Sequence, residues 1–123
     1  FQFEEFEFVV CEQINGNRVK YVGMVSGLIH MLSGLNKKPI LDFVPSSVKK
    51  NLTESGKADK ELMIETVNKI TGESIKIEHI ADSVAIAKKG YDVINGRTAN
   101  DGDERKIIDY VNQMNYYDQY KGD

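Results

Sequence analysis

Residues 8–11, FVVC, form a short unbroken apolar run that stops at a carboxylate, Glu12. Such a run is the pattern of a strand covered on both faces, which points to a parallel sheet with helices packed against it. The strand is expected over Glu7 to Cys11, with Glu12 at its C-terminal end and the turn Ile14 to Asn17 after it. Downstream the pattern alternates as a parallel sheet requires. Arg18 to Leu35 reads as a helix with Val22, Val25, Ile29 and Leu32 on one stripe. Gly23 and Gly27 stand four apart on a shared face. Each costs about 1 kcal/mol against Ala in a helix interior, so the pair predicts close packing of another backbone there.

KKPILDFV reads as the second strand, with Pro39 at its start, where a missing N–H matters least. Pro45-Ser46-Ser47 opens a short helix through Lys50, and Asn51 to Lys57 reads as loop. Ala58 to Thr71 is the next helix, with Met63, Val67 and Ile70 on its buried stripe and Gly72 as its C-terminal cap. Glu78 to about Asn95 follows, with Ile80, Val84, Ala87 and Tyr91 as its buried face. The fold class is therefore α/β, strand-helix-strand-helix-helix, with a further C-terminal helix over Glu104 to Tyr117. Residues 1–95 form one domain; 96–123 hold a polar linker, a short helix and a Tyr-rich tail.

The chain has 123 residues, 41% of them hydrophobic, enough for one small domain with a modest core. No apolar run approaches the ~20 residues of a membrane span. A net charge of −3 excludes a generic DNA-coating protein, but not an enzyme that meets DNA through a local basic patch. The single cysteine, Cys11, cannot form an internal disulfide and reads as a small buried hydrophobe. His30 reads as a packed or interface residue. Asn51-Leu52-Thr53 matches a glycosylation sequon, with nothing else to suggest secretion.

Three groups of residues have chemical potential. Glu12 lies at the sheet edge where open α/β folds place ligands; its bland reading is a solvated charge capping a turn. His79 and Asp82 are three apart on one helix and are metal-compatible; the bland reading is an acidic helix start with an incidental histidine. Lys49, Lys50, Lys57 and Lys60 flank a loop with Gly56, Ser55 and Ala58, whose backbone N–H groups would face an anion. The bland reading there is a solvated charge run. SGKAD is not a phosphate-binding Walker loop, because its first glycine is absent and no Ser or Thr follows the lysine.

In combination these pieces resemble the RuvC-type Holliday junction resolvases of the RNase H-like nuclease fold. VVCEQ (9–13) is similar to the family's strand ending in a catalytic Glu followed by Gln. Gly23 and Gly27 match small residues on the helix that forms the family's dimer interface. VKKNLTESGKADKELM (48–63) resembles its lysine-glycine-lysine segment, and HIADSVAIA (79–87) its terminal helix motif. The resemblance covers about Phe6 to Tyr91. It implies an Mg²⁺-dependent (or Mn²⁺-dependent) cytoplasmic endonuclease acting on branched DNA, four-way junctions above all. It also implies a homodimer through the helix around Arg18 to Leu35. Glu12, His79 and Asp82 would be the metal ligands and catalytic carboxylate–imidazole set. Lys49 and Lys60 would act at the scissile phosphate, with Lys50 and Lys57 on the DNA backbone.

The chain departs from the family in three ways. No segment could be the strand that carries the family's first catalytic Asp, so an incomplete site and a missing N-terminal segment are expected. The turn after Glu12-Gln13 lacks the family's frequent aromatic, and the C-terminal helix is not part of the family core. Other readings are a non-catalytic DNA-binding or assembly module on the same fold, or an RNase H-like nuclease for other branched or hybrid substrates.

Overall fold

The computed structural model describes residues 7–13, 19–97 and 102–119, with side chains in the first helix from residue 24 onward. The turn Ile14 to Asn17, Val22, Gly23 and the end of the Tyr-rich tail lie outside this description. The described elements are β1 (Val9–Glu12), α1 (Val19–Leu35), β2 (Ile40–Phe43), α2 (Pro45–Thr53), α3 (Lys60–Thr71), α4 (Glu78–Ile94) and α5 (Asp103–Asp118). The mixed α/β order expected from the sequence is present. β1 and β2 are parallel, with Val9 opposite Ile40 and Glu12 opposite Phe43. The ladder is closed at its ends by the Val9 N–H on the Pro39 carbonyl and the Gln13 N–H on the Phe43 carbonyl, both at 2.8 Å.

One face of this sheet builds the core. Leu41 and Phe43 alternate along β2 onto the same side and pack with Val48 and Leu52 of α2, Met63 and Val67 of α3, and Ala81, Ala85 and Val93 of α4. Val9, Val10 and Cys11 are only half-buried. The expectation of a strand fully covered on both faces is thus corrected: α4 packs on the Val10 side at Gly90, and Val9 and Cys11 on the other side stay half-buried.

Hydrophobic periodicity misplaced several faces. On α4, Ile80, Ala87 and Tyr91 are exposed and Val84 is half-buried; the buried side is Ala81, Ala85, Lys89, Gly90, Asp92 and Val93. The reason is close approach. A Cβ on Gly90 would lie 2.4 Å from Val10 Cγ2 and 3.2 Å from Phe8 Cε2, so small residues face the sheet and bulky ones face out. Gly90→Ala is therefore expected to destabilise the fold by about 1–3 kcal/mol through overpacking, although Gly→Ala ordinarily gains up to about 1 kcal/mol in a helix. Urea denaturation measures the sign. On α3, Ile70 is exposed while Met63 and Val67 are buried as expected. On α1, Val25 is exposed, and nothing lies within 4 Å of a Cβ built on Gly27.

α5 is fastened along β2 by polar side chains. Lys89 Nζ reaches Asp103 Oδ2 at 2.8 Å, both groups buried. Lys106 Nζ meets Asp42 Oδ1 at 2.9 Å. Gln113 accepts from the Ile40 N–H at 2.8 Å and donates to the Ile40 carbonyl at 2.9 Å. α1 packs closely against no other described element; its C-terminal end is tied down by the buried Ser33, whose hydroxyl donates to the Lys38 carbonyl.

Candidate metal and phosphate cleft

The C-terminal ends of the strands open into a cleft of ≈ 210 Å³ between β1, α2, α3 and α4. Glu12 ends β1 on the same side of the sheet as Phe43, because the two are register partners. α4 starts beside it, and its first turns carry Glu78 and Asp82 into the cleft. α2 contributes Lys49, and the start of α3 contributes Lys60. Val48, Met63 and Ile86 form apolar walls. Residues far apart in sequence thus converge: two of the three expected ligands, Glu12 and Asp82, and both lysines expected at the phosphate.

The remaining expected residues lie outside this cleft. His79 is exposed and does not line it, although its charge reaches Asp82. Lys57 is exposed on the loop, and Lys50 faces a neighbouring cleft. The loop itself is 54–59, since α2 runs on through Thr53. It is not an anion nest. The Lys57 N–H is bonded to Ser55 Oγ, the Ala58 N–H to the Ser55 carbonyl, and the Leu62 N–H to the N-cap carboxylate of Asp59. Ala58 is a core residue, and Gly56 lies against Ser46, with a built Cβ 3.3 Å from its carbonyl oxygen. The loop serves the cleft by fixing where Lys60 starts its helix. Lys49, Lys50, Lys57 and Lys60 form no ion pair among the described residues.

Glu78 was missed in the sequence, although its spacing of four from Asp82 signals a shared helical face. Asp42 points to the opposite side of the sheet, paired with Cys11 in register and with Lys106 by an ion pair. No described strand sets an aspartate beside Glu12. Burial and the Asp42 charge push the Cys11 thiol up, away from nucleophilic use.

The carboxylates resist ionising together. Enclosure by the cleft raises Glu12, the Asp82 charge raises it further, and Lys49 opposes both. Asp82 is raised by enclosure and then by Glu78, against His79 and Lys49. Between the ordinary carboxylate pKa and the raised one, the native state binds more protons than the unfolded chain. Stability therefore falls as pH rises through that interval. In metal-free thermal melts, Asp82→Asn is expected to gain Tm over the wild type as pH rises through that interval. A flat difference would mean that the cleft does not disfavour the Asp82 charge.

Among the described residues no three His, Cys, Asp or Glu side chains come close enough to hold an ion unaided. The donor chemistry still fits Mg²⁺. That ion takes one or two carboxylates, keeps several waters and completes its shell with substrate phosphate, and Glu12 and Asp82 are hard oxygen donors, each disfavoured as a charge by enclosure, which a cation relieves. Among the described residues, no helix is long and apolar enough to cross a membrane.

No family model matches the chain. A curated relative, the crossover junction endodeoxyribonuclease RuvC of Brachyspira hyodysenteriae (strain ATCC 49526 / WA1), is 36% identical over 66 residues. The match covers 54% of this chain and 41% of the relative, so the chain spans less than half the length of that nuclease.

Proposed function

We propose that this chain supplies part of the active site of a metal-dependent endonuclease that cuts phosphodiester bonds in branched DNA, with the four-way junction as substrate, on an RNase H-like fold. One observation carries the reading: two carboxylates on different elements, each raised by enclosure, meet in one cleft at the strand ends two lysines that form no ion pair among the described residues. The similarity to a crossover junction endonuclease supports the same chemistry.

Glu12 and Asp82 would hold Mg²⁺ or Mn²⁺, with Glu78 on the cleft wall beside Asp82 and His79 at the rim. When bound there, the ion supplies Lewis-acid stabilisation of the charge that develops on the phosphoryl and leaving oxygens. Lys49 and Lys60 seat the phosphate as point charges from opposite walls of the cleft. Val48, Met63 and Ile86 keep the surroundings apolar, which strengthens each of these contacts. Met24, Leu28, Met31 and Leu35 form an exposed stripe at helical spacing on α1, and we assign it to a homodimer. A two-fold dimer offers one site to each scissile strand of a junction.

Cleavage of a labelled four-way junction beside matched linear duplex, by the full-length gene product with Mg²⁺ or with chelator, tests this. Metal-dependent paired nicks near the crossover are expected. A second reading is a junction-binding module without catalysis. It predicts binding that weakens with salt and no nicks under any metal.

A further inference from the structure

We propose that a second cleft, next to the first, receives an unpaired nucleobase of the bound strand. This inference rests on the nucleic-acid reading above and adds a recognition site to it. The second cleft, ≈ 390 Å³, lies between the start of α2 and the start of α5. It is one residue away from the metal cleft along both shared elements. Glu12 lines the first and Gln13 the second; Lys49 lines the first and Lys50 the second. The first turn of α2 is the wall between them, so a strand whose phosphate sits at Lys49 and Lys60 carries its neighbouring nucleotide to this opening.

The lining suits a base more than a second phosphate. Val44, more than a third exposed, forms an apolar floor over the buried Phe43. Lys106 stands on the far wall, already neutralised by Asp42 and lying 5.6 Å from the Phe43 ring centroid. It therefore presents its alkyl stem more than a free charge. Polar groups sit at the rim: the Gln13 amide, which donates to Asp42 and keeps its carbonyl oxygen as an acceptor, the Ser46 hydroxyl, and Lys50, which forms no ion pair among the described residues. An apolar body with a few polar groups at its edge is the usual form of a site for a planar heterocycle. α5 builds one side of it, so the helix outside the family resemblance would carry the recognition.

An abasic-site scan tests the idea. Junctions with a single abasic nucleotide at each position around the crossover are bound by the full-length protein, and the affinities compared. Base contacts of this kind amount to about 1–3 kcal/mol per base, so at least about a fivefold loss is expected at one position beside the crossover and none several nucleotides away. Val44→Trp, which fills the cleft, should weaken binding of the intact junction by a similar factor and abolish the sensitivity at that position. Lys106→Ala, which removes the stem, should reduce it. A scan with no sensitive position overturns the proposal, even if the variants fail to fold. So does a Val44→Trp protein with wild-type Tm whose sensitivity is unchanged. Binding is the readout, so the result stands whether or not the strand is cut; the nicking assay alone judges the nuclease reading.

Discussion

Asp82→Asn is expected to lose at least about a hundredfold in junction cleavage while keeping junction affinity. The substitution keeps the side chain's size and removes its charge. Loss of an outer partner of a metal ligand already costs ten- to a hundredfold in affinity or activity, so loss of a ligand should reach the upper end or beyond. Binding should hold, because Lys49 and Lys60 are untouched and one negative charge leaves a cleft that must receive a polyanion. Glu12 should ionise more readily once the Asp82 charge is gone, since that charge is its second cause of elevation. Rates of nicking with saturating Mg²⁺, beside gel-shift affinities, decide the matter. Cleavage at the wild-type rate would remove Asp82 from the site.

Lys89→Met should be the most damaging substitution to the fold. Lys89 is fully buried, its ammonium 2.8 Å from Asp103 Oδ2 and 5.4 Å from the Phe43 ring centroid. Removing the lysine takes from the buried Asp103 its ion-pair cation, and breaking a buried ion pair costs about 3–5 kcal/mol. The joint variant Lys89→Met with Asp103→Leu should recover most of this, because well-packed apolar replacements of such pairs are often neutral or better. Urea denaturation of the single and double variants measures both. A single variant within 1 kcal/mol of the wild type would show that α5 is held by its other contacts.

The elements were legible in the sequence wherever a local signal marked them. Gly72 adopts φ +74° and caps α3 as its position announced. Pro45 opens α2, and the apolar run of β1 stops where Glu12 meets the cleft. The faces were less legible. Periodicity counts bulky apolar residues, so it chose Ile80 and Tyr91 on α4 and passed over Lys89, which reads as solvent-facing. The buried face is set instead by what the sheet admits: Ala81, Ala85 and Gly90, plus a lysine neutralised by an aspartate fourteen residues on. The site followed the same division. Position, spacing and charge singled out Glu12, the His79–Asp82 pair and four lysines, and the family resemblance chose Lys49 and Lys60 among them; Glu12, Asp82, Lys49 and Lys60 line one cleft, His79 does not, and Glu78 hid among ordinary helix-start acids. Lys106 was also passed over, because its partner Asp42 lies 64 residues away.

The Gln113 amide bonds both the N–H and the carbonyl of Ile40, as a neighbouring strand would. A side chain that imitates a strand makes the sheet directional. At Ile40 the outer border of β2 is occupied by its own polypeptide, which guards it there against the edge-to-edge pairing that exposed strands invite. In β1, the Val9 and Gln13 amides face β2, so by strand alternation those of Val10 and Glu12 face the other way. Any strand that joins this sheet is steered to that border, and it arrives alongside the residue that holds the carboxylate.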